Sequence, residues 1–337
     1  MSAFDPSRLA ALVAAFRGRR VAVLGDLVCD EFVHGEIARI SREAPVLILE
    51  EARVEIVPGG GANAVANLRA LGAHPVPVGV VGRDEAGAGL LRVFRKLAVE
   101  TGGIVVEPGY RTPTKSRILA GGVHTRRQQV VRVDRGARHG ELSRATRAKI
   151  ASRLARALAR SEGLLVADYG YGAATPALVA GSRRAWAGKS VTVDSRTRVA
   201  QFRGVTACTP NQEEVEIALG RSGLSRPAAA AAAGRELLAR TRSGAVLVTR
   251  GARGMLLVRP KARALPIPAF GSGEVADVTG AGDTVIATFT LALLAGGSAE
   301  EAAVLANVAA GLVVMKYGTA TVSPRELIAA LRAGPLR

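Results

Sequence analysis

The sequence predicts a doubly wound α/β fold: a mostly parallel sheet flanked by helices, with a small β-sheet lid. Short runs rich in Val, Leu and Ala, at 21–25, 76–81, 164–167, 191–194 and 246–249, alternate with helical patterns at 62–71, 141–160, 176–186, 227–240 and 282–295. Such alternation builds a parallel sheet covered on both faces. A second texture interrupts it. Segments 46–50, 53–57, 115–119 and 129–133 read as half-buried strands with few helices between them, which predicts a lid sheet made from two insertions. The 337 residues, 48% of them hydrophobic and 22% charged with no like-charge block, exclude a disordered chain. The expectation is one domain over 1–337, with lid strands from about 31–58 and 112–133 inserted in it.

Taken in order, the first strand ends in Gly25-Asp26, with Asp30 four residues on. Two carboxylates then stand at the carboxyl edge of the sheet, where open α/β folds bind ligands and where a sugar needs acceptors for its hydroxyls. Either one could equally be a turn or cap residue. Gly59-Gly60-Gly61-Ala62-Asn63 opens the next helix; it permits close approach of backbone to a ligand, with Asn63 as donor and acceptor, or is simply a turn. Thr209-Pro210-Asn211-Gln212-Glu213-Glu214 follows a strand. The spacing of Asn211 and Glu214 is that of a capping box, and equally allows Glu214 to orient hydrated Mg²⁺ while Asn211 meets nucleotide phosphates. The alanine-rich stretch 228–233 reads as an exposed helix of high intrinsic propensity without a function.

The most informative segment is Asp277-Val278-Thr279-Gly280-Ala281-Gly282-Asp283-Thr284, directly before an apolar helix. Small residues permit a tight turn, and the first amides of the helix then face an anion. Asp283 in the first turn can accept the proton of an attacking hydroxyl while the amides of Gly280, Ala281 and Gly282 stabilise a migrating phosphoryl group. The alternative is an acid that only favours the helix dipole.

Charge narrows the partners. The chain carries 46 Lys and Arg against 28 Asp and Glu, a net +18, yet only six of the 46 are Lys and the Arg residues are spread throughout. With 4% aromatic residues there are too few stacking platforms for nucleic acid, and the field suits anionic small molecules. Two cysteines, Cys29 and Cys208, and the scattered His34, His74, His124 and His139 give neither a disulfide framework nor metal-ligand spacing. No run approaches the ~18 apolar residues that span a membrane. Residues 9–16 are followed by Arg17, Arg19 and Arg20, the reverse of a signal peptide's order, so the expectation is a cytoplasmic protein.

Together these segments resemble the ribokinase-like (PfkB) carbohydrate kinases over essentially the whole chain. The 277–283 signature and the triple glycine with Asn63 carry the likeness. Arg39-Ile40-Ser41-Arg42-Glu43-Ala44-Pro45-Val46, Arg127-Gln128-Gln129, Asp168-Tyr169-Gly170, Thr209-Pro210-Asn211, the run Asp277–Ile286 and Lys316-Tyr317-Gly318-Thr319-Ala320-Thr321-Val322-Ser323-Pro324 look like the family's heptose 7-phosphate kinases. The resemblance implies transfer of the γ-phosphate of ATP, with Mg²⁺, to the anomeric hydroxyl of D-glycero-β-D-manno-heptose 7-phosphate. It implies Asp283 as base, Gly280, Ala281 and Gly282 as anion hole, and Asn211, Gln212, Glu213 and Glu214 at the nucleotide and Mg²⁺, Glu214 through water. Thr249, Arg250, Gly251, Gly254 and Asn307 would lie near the nucleotide. Asp26, Asp30, Gly60, Gly61, Asn63 and Asp168 would face the sugar, and Arg39, Lys115 and Arg117 on the lid are candidates for its phosphate.

Two departures bear on the substrate: Tyr171 stands where the subgroup has Lys, and Asp194-Ser195-Arg196 replaces its Asp-Pro-Lys. A kinase for fructose 1-phosphate or ribose, and a non-catalytic sugar-phosphate-binding regulator, are the alternatives. A homodimer formed through the lid strands is expected, because exposed sheet needs covering. The 337 residues correspond to the kinase half of bifunctional relatives, so nucleotidyl transfer is expected from another protein.

Overall fold

The computed structural model describes residues 4–121, 128–136, 142–271 and 276–333. His124, Arg127 and His139 lie outside them. Thirteen strands occur among the described residues: β1 (Arg20–Gly25), β2 (Leu27–Ile40), β3 (Leu47–Gly60), β4 (His74–Gly82), β5 (Ile104–Glu107), β6 (Thr114–Gly121), β7 (Gln128–Arg135), β8 (Gly163–Asp168), β9 (Ser190–Ser195), β10 (Ala207–Cys208), β11 (Ala245–Thr249), β12 (Met255–Val258) and β13 (Leu265–Ile267). Nine form one sheet, in the order β13-β12-β11-β10-β9-β8-β1-β4-β5. It is parallel from β11 to β5 and antiparallel only at β12 and β13. This is the predicted doubly wound sheet.

Side-chain alternation explains why its central strands are mostly apolar. Along β1, Val21 and Val23 enter one core while Ala22 and Leu24 enter the other; Leu165 and Ala167 of β8 oppose Leu164 and Val166 in the same way. A strand buried on both faces has no position left for a polar residue. One face is covered by the helices Ala281–Leu294 and Ala299–Val314, the other by Arg144–Ala159 and Pro227–Thr241.

The remaining four strands form the lid sheet, β3-β2-β6-β7. Segments 46–50 and 53–57 belong to one strand, β3. The expected break between them is a register shift opposite His34 and Gly35, which absorbs an extra residue without ending the strand. The base of β2 is buried and its tip exposed. Two helical readings also change. Segment 176–186 forms two short helices, Pro176–Gly181 and Arg183–Trp186, with Ser182 between them. The alanine-rich stretch is half buried, not exposed. Ala230, Ala231 and Ala233 face the core, and a Cβ at Gly234 would meet Val258 at 2.8 Å, so small residues let this helix sit close on the sheet.

Candidate active site

The parallel strands deliver their carboxyl ends to one edge, where a cavity of about 310 Å³ opens under the base of the lid. Asp283 reaches it from the helix Ala281–Leu294 and Gly280 from the turn before it, Tyr169 from the loop after β8, Asp194 from β9 and Arg196 from just beyond it, and Asp30, Lys115, Arg117 and Arg132 from the lid. Thr209, Asn211, Glu214 and Thr249 close the side toward β11.

Asp283 is 3% exposed. Its Oδ2 accepts from Asn63 Nδ2 at 2.9 Å and its Oδ1 from the Tyr169 hydroxyl at 2.7 Å. Burial pushes its carboxyl up to about 6, against the pull of these two donors, so it is an anion at neutral pH. Asn63 is held in turn: Asn67 Nδ2 donates to Asn63 Oδ1 at 3.1 Å, and the Thr284 hydroxyl donates to Asn67 Oδ1 at 2.8 Å. This chain fixes the Asn63 amide with its NH₂ toward Asp283. Gly280, at φ +78°, turns the backbone into the helix, and a Cβ there would collide with Asn63 Nδ2. Gly280 and Gly282 line the cavity, whereas the Ala281 amide donates to Val278 O at 3.3 Å.

Basic and acidic groups share the walls. Arg117 Nη1 pairs with Asp30 Oδ1 at 3.0 Å, and Arg132 makes two 2.7 Å bonds to Asp134. Burial lowers the Lys115 ammonium, and nearby Arg196 lowers it further. Burial also raises Asp194 and Glu214. The Glu214 and Asp283 charges push Asp194 further up, and those of Glu213 and Asp283 do the same to Glu214, while Arg196 opposes the rise in both. Asn211 and Glu214 make the full capping box, each side chain bonding the other's backbone N–H at 2.8 Å, and both also line the cavity. The two readings of this pair are compatible.

Several sequence-expected residues lie elsewhere. Asp26 does not face the cavity. Its carboxylate accepts from the amides of Tyr169, Tyr171, Ala173 and Ala174 and so shapes the 169–174 loop, because buried N–H groups need acceptors. Asp168, 1% exposed, is held by Arg198, Ser195 and Gly170. Gly61 is a close backbone crossing, where a Cβ would meet Gly25 Cα at 2.8 Å. Arg39 is exposed near the lid tip, roughly 30 Å along β2 from Asp30 at ~3.3 Å per residue.

Of the residues expected at the nucleotide, Gln212 accepts from Arg253, Glu213 is exposed, Arg250 donates to Ser225 O, and Asn307 donates to Pro268 O. Gly251 and Gly254 form a turn after β11. None of these six lines the cavity. Tyr169, Arg132, Asp194 and Thr209 do, and no role followed for them from the sequence. Tyr169 and Thr209 stood within motifs, Arg132 within an expected lid strand, and Asp194 and Arg196 within a departure. Among the described residues no three His, Cys, Asp or Glu side chains are grouped to hold a metal, and no helix is long and apolar enough to cross a membrane.

The model of the pfkB family carbohydrate kinases matches residues 19–169 and 175–326. The chain is 42% identical over 328 residues to the Bifunctional protein HldE of Paramagnetospirillum magneticum, covering 96% of this chain and 66% of that protein. It is 41% identical over 333 residues to that of Mesorhizobium japonicum, covering 97% and 65%. It thus spans just under two thirds of the length of these relatives. Among solved structures, Arabidopsis thaliana ribokinase complexed with ribose and ATP aligns with a TM-score of 0.73 at 18% identity, over 94% of this chain and 100% of that one. Escherichia coli phosphofructokinase-2 aligns with a TM-score of 0.71 at 17% identity, over 94% and 99%. These two show the shared ribokinase-like fold, and the family match over most of the sequence adds the activity class: the chain belongs to the pfkB family of carbohydrate kinases, and it is a sugar kinase.

Proposed function

We propose that this kinase transfers the γ-phosphoryl group of ATP to the anomeric hydroxyl of D-glycero-β-D-manno-heptose 7-phosphate, with Asp283 as general base. One observation carries the choice of a phosphorylated acceptor: Lys115, Arg117, Arg132 and Arg196 share the cavity with Asp283. Four cations suit an acceptor with its own phosphate better than a neutral sugar such as ribose. The subgroup motifs and the relatives named HldE support the heptose.

In this reading Asp30, Gly60 and Asn63 face the sugar, and Lys115, Arg117 and Arg132 take its phosphate. Asn211 and Thr249 meet the nucleotide, with Arg250, Gly251, Gly254 and Asn307 on the adenine side. Asp283 Oδ takes the proton of the anomeric hydroxyl as the oxygen bonds to the γ-phosphorus. The bond from that phosphorus to the bridging oxygen breaks, and its electron pair leaves on ADP. Amides at Gly280 and Gly282 stabilise the charge that develops on the phosphoryl oxygens. Asp194 and Glu214 fit Mg²⁺: they are two half-buried carboxylates in one cavity, the Glu214 charge raising the proton affinity of Asp194, and a hard cation that uses one or two such ligands, keeps waters and takes phosphate oxygens besides would relieve both. When bound, Mg²⁺ neutralises charge on the nucleotide phosphates. Lid closure around the sugar excludes water.

The test is ATP consumption with Mg²⁺ across D-glycero-β-D-manno-heptose 7-phosphate, its α anomer, fructose 1-phosphate, fructose 6-phosphate and ribose, with phosphorus NMR of the product. A new anomeric phosphate on the β-heptose is the expected result. Turnover with another sugar alone overturns the substrate and keeps the kinase.

We further propose that the enzyme works in the cytoplasm as a homodimer joined through the lid. Ile37, Ile40, Val46, Leu47 and Val54 are all at least 43% exposed there, an apolar surface that a second copy would cover. Light scattering is then expected to give twice the chain mass of 34.8 kDa; the monomer mass would overturn this.

A further inference from the structure

Tyr169 has no part in the sugar and nucleotide contacts assigned above, yet it touches the base directly. Its hydroxyl donates to Asp283 Oδ1 at 2.7 Å, opposite the Asn63 donor on Oδ2. Its backbone is pinned, because the Tyr169 amide donates to Asp26 Oδ2 at 2.9 Å and Asp26 also binds the amides of Tyr171, Ala173 and Ala174. Its ring carries two cations: Lys115 Nζ lies 5.4 Å from the centroid and the Arg196 guanidinium carbon 5.0 Å. Both cations line the cavity, and neither forms an ion pair among the described residues. A ring face favours such cations without neutralising them, which leaves their charge available to phosphate oxygens.

We propose that Tyr169 is a positioning residue for phosphoryl transfer: its hydroxyl aims the Asp283 carboxylate and its ring spaces Lys115 and Arg196 for phosphate oxygens. The inference rests on Asp283 being the base. An Asp carboxylate, joined to the helix backbone through two rotatable bonds, can swing and rotate, and donors on both oxygens remove that freedom before the acceptor arrives. The same donor favours the anion over the acid. The ionisable groups around Asp283 are Lys115 and Asp30 on the lid, Tyr169 after β8, and Asp194, Arg196 and Glu214 on the facing wall. Tyr169→Phe alters none of the charges of the others and keeps the ring.

Two variants separate the functions of hydroxyl and ring, assayed with ATP, Mg²⁺ and D-glycero-β-D-manno-heptose 7-phosphate, or with whichever sugar of the panel is turned over. Tyr169→Phe is expected to move the acid limb of the kcat/KM profile up by about one pH unit and to lower the plateau kcat about ten-fold, with KM within two-fold of the parent. Tyr169→Leu is expected to add a rise of about ten-fold in the KM of a phosphate-bearing substrate. Measuring KM for the sugar phosphate and for ATP separately tells which phosphate the cations serve. Thermal melts run in parallel report folding. An unmoved acid limb in Y169F beside a silent Asp283→Asn enzyme overturns the role of Tyr169 alone. An Asp283→Asn enzyme that turns over normally overturns the base assignment, and the role of Tyr169 with it.

Discussion

If Asp283 is the proposed base, Asp283→Asn is expected to lower kcat by about 10²–10⁴-fold, the range for removal of a general base. The change is nearly isosteric, so ATP affinity measured by calorimetry stays within a few-fold of the parent. The hydrogen bonds explain why the loss is chemical and not architectural. Asp283 accepts from Asn63 on one oxygen and from Tyr169 on the other; an amide keeps one of these and meets the other donor with its own NH₂. That mismatch costs about 1–3 kcal/mol, which a stable domain tolerates. The pH profile gives a second reading of the same group. With the carboxyl pushed up to about 6 by burial, kcat/KM of the parent is expected to rise as pH increases through about 6 and to flatten above it, because only the anion can take the proton. The residual activity of D283N lacks that limb. Turnover within ten-fold of the parent, or an unchanged limb, removes Asp283 from the role of base.

Arg198→Ala is expected to produce the largest loss of stability, about 3 kcal/mol. The Asp168 carboxylate is 1% exposed, and Arg198 holds both its oxygens, through Nε at 3.0 Å and through Nη2. Without the guanidinium, the charge is left inside the protein with only the Ser195 hydroxyl at 2.7 Å and the Gly170 amide at 3.0 Å. An uncompensated buried charge costs more than the pair itself contributes. Chemical denaturation is expected to show a lower midpoint with an unchanged slope. Replacing both partners, as Asp168→Leu with Arg198→Met, is expected to recover most of the loss, since the apolar pair leaves no charge behind. A single-variant change below about 1 kcal/mol would mean that water reaches Asp168 and screens it. Asp168 then becomes a candidate sugar ligand again.

Much of the site was legible because its signals are local. The 277–284 signature specifies a tight turn followed by a helix whose first turn carries an acid, and Asp283 stands there. Asn211 and Glu214 spell a capping box and form one. The paired-core strands are readable because burial on both faces leaves few polar positions. What failed to be legible was the direction in which a side chain turns. Asp26 and Asp30 are equivalent by spacing, four residues apart at one strand end; Asp26 folds back onto four loop amides while Asp30 meets Arg117 in the cavity. Arg39 sits in a family-like motif, but a continuous strand carries it to the far tip of the lid. Tyr169 was a motif residue without a role, since its partner is 114 positions away in the chain.

By itself, then, the sequence determined the three-layered α/β class, the lid strands and the turn that presents Asp283, all of which follow from periodicity and from the conformations small residues permit. Only the tertiary structure decided which charges face the cavity and which are consumed beneath it. Buried amides and guanidinium groups must find acceptors wherever the fold brings them. That requirement, set by contacts between distant segments, claimed Asp26 and Asp168 for the scaffold and brought Tyr169, Lys115 and Arg196 to Asp283.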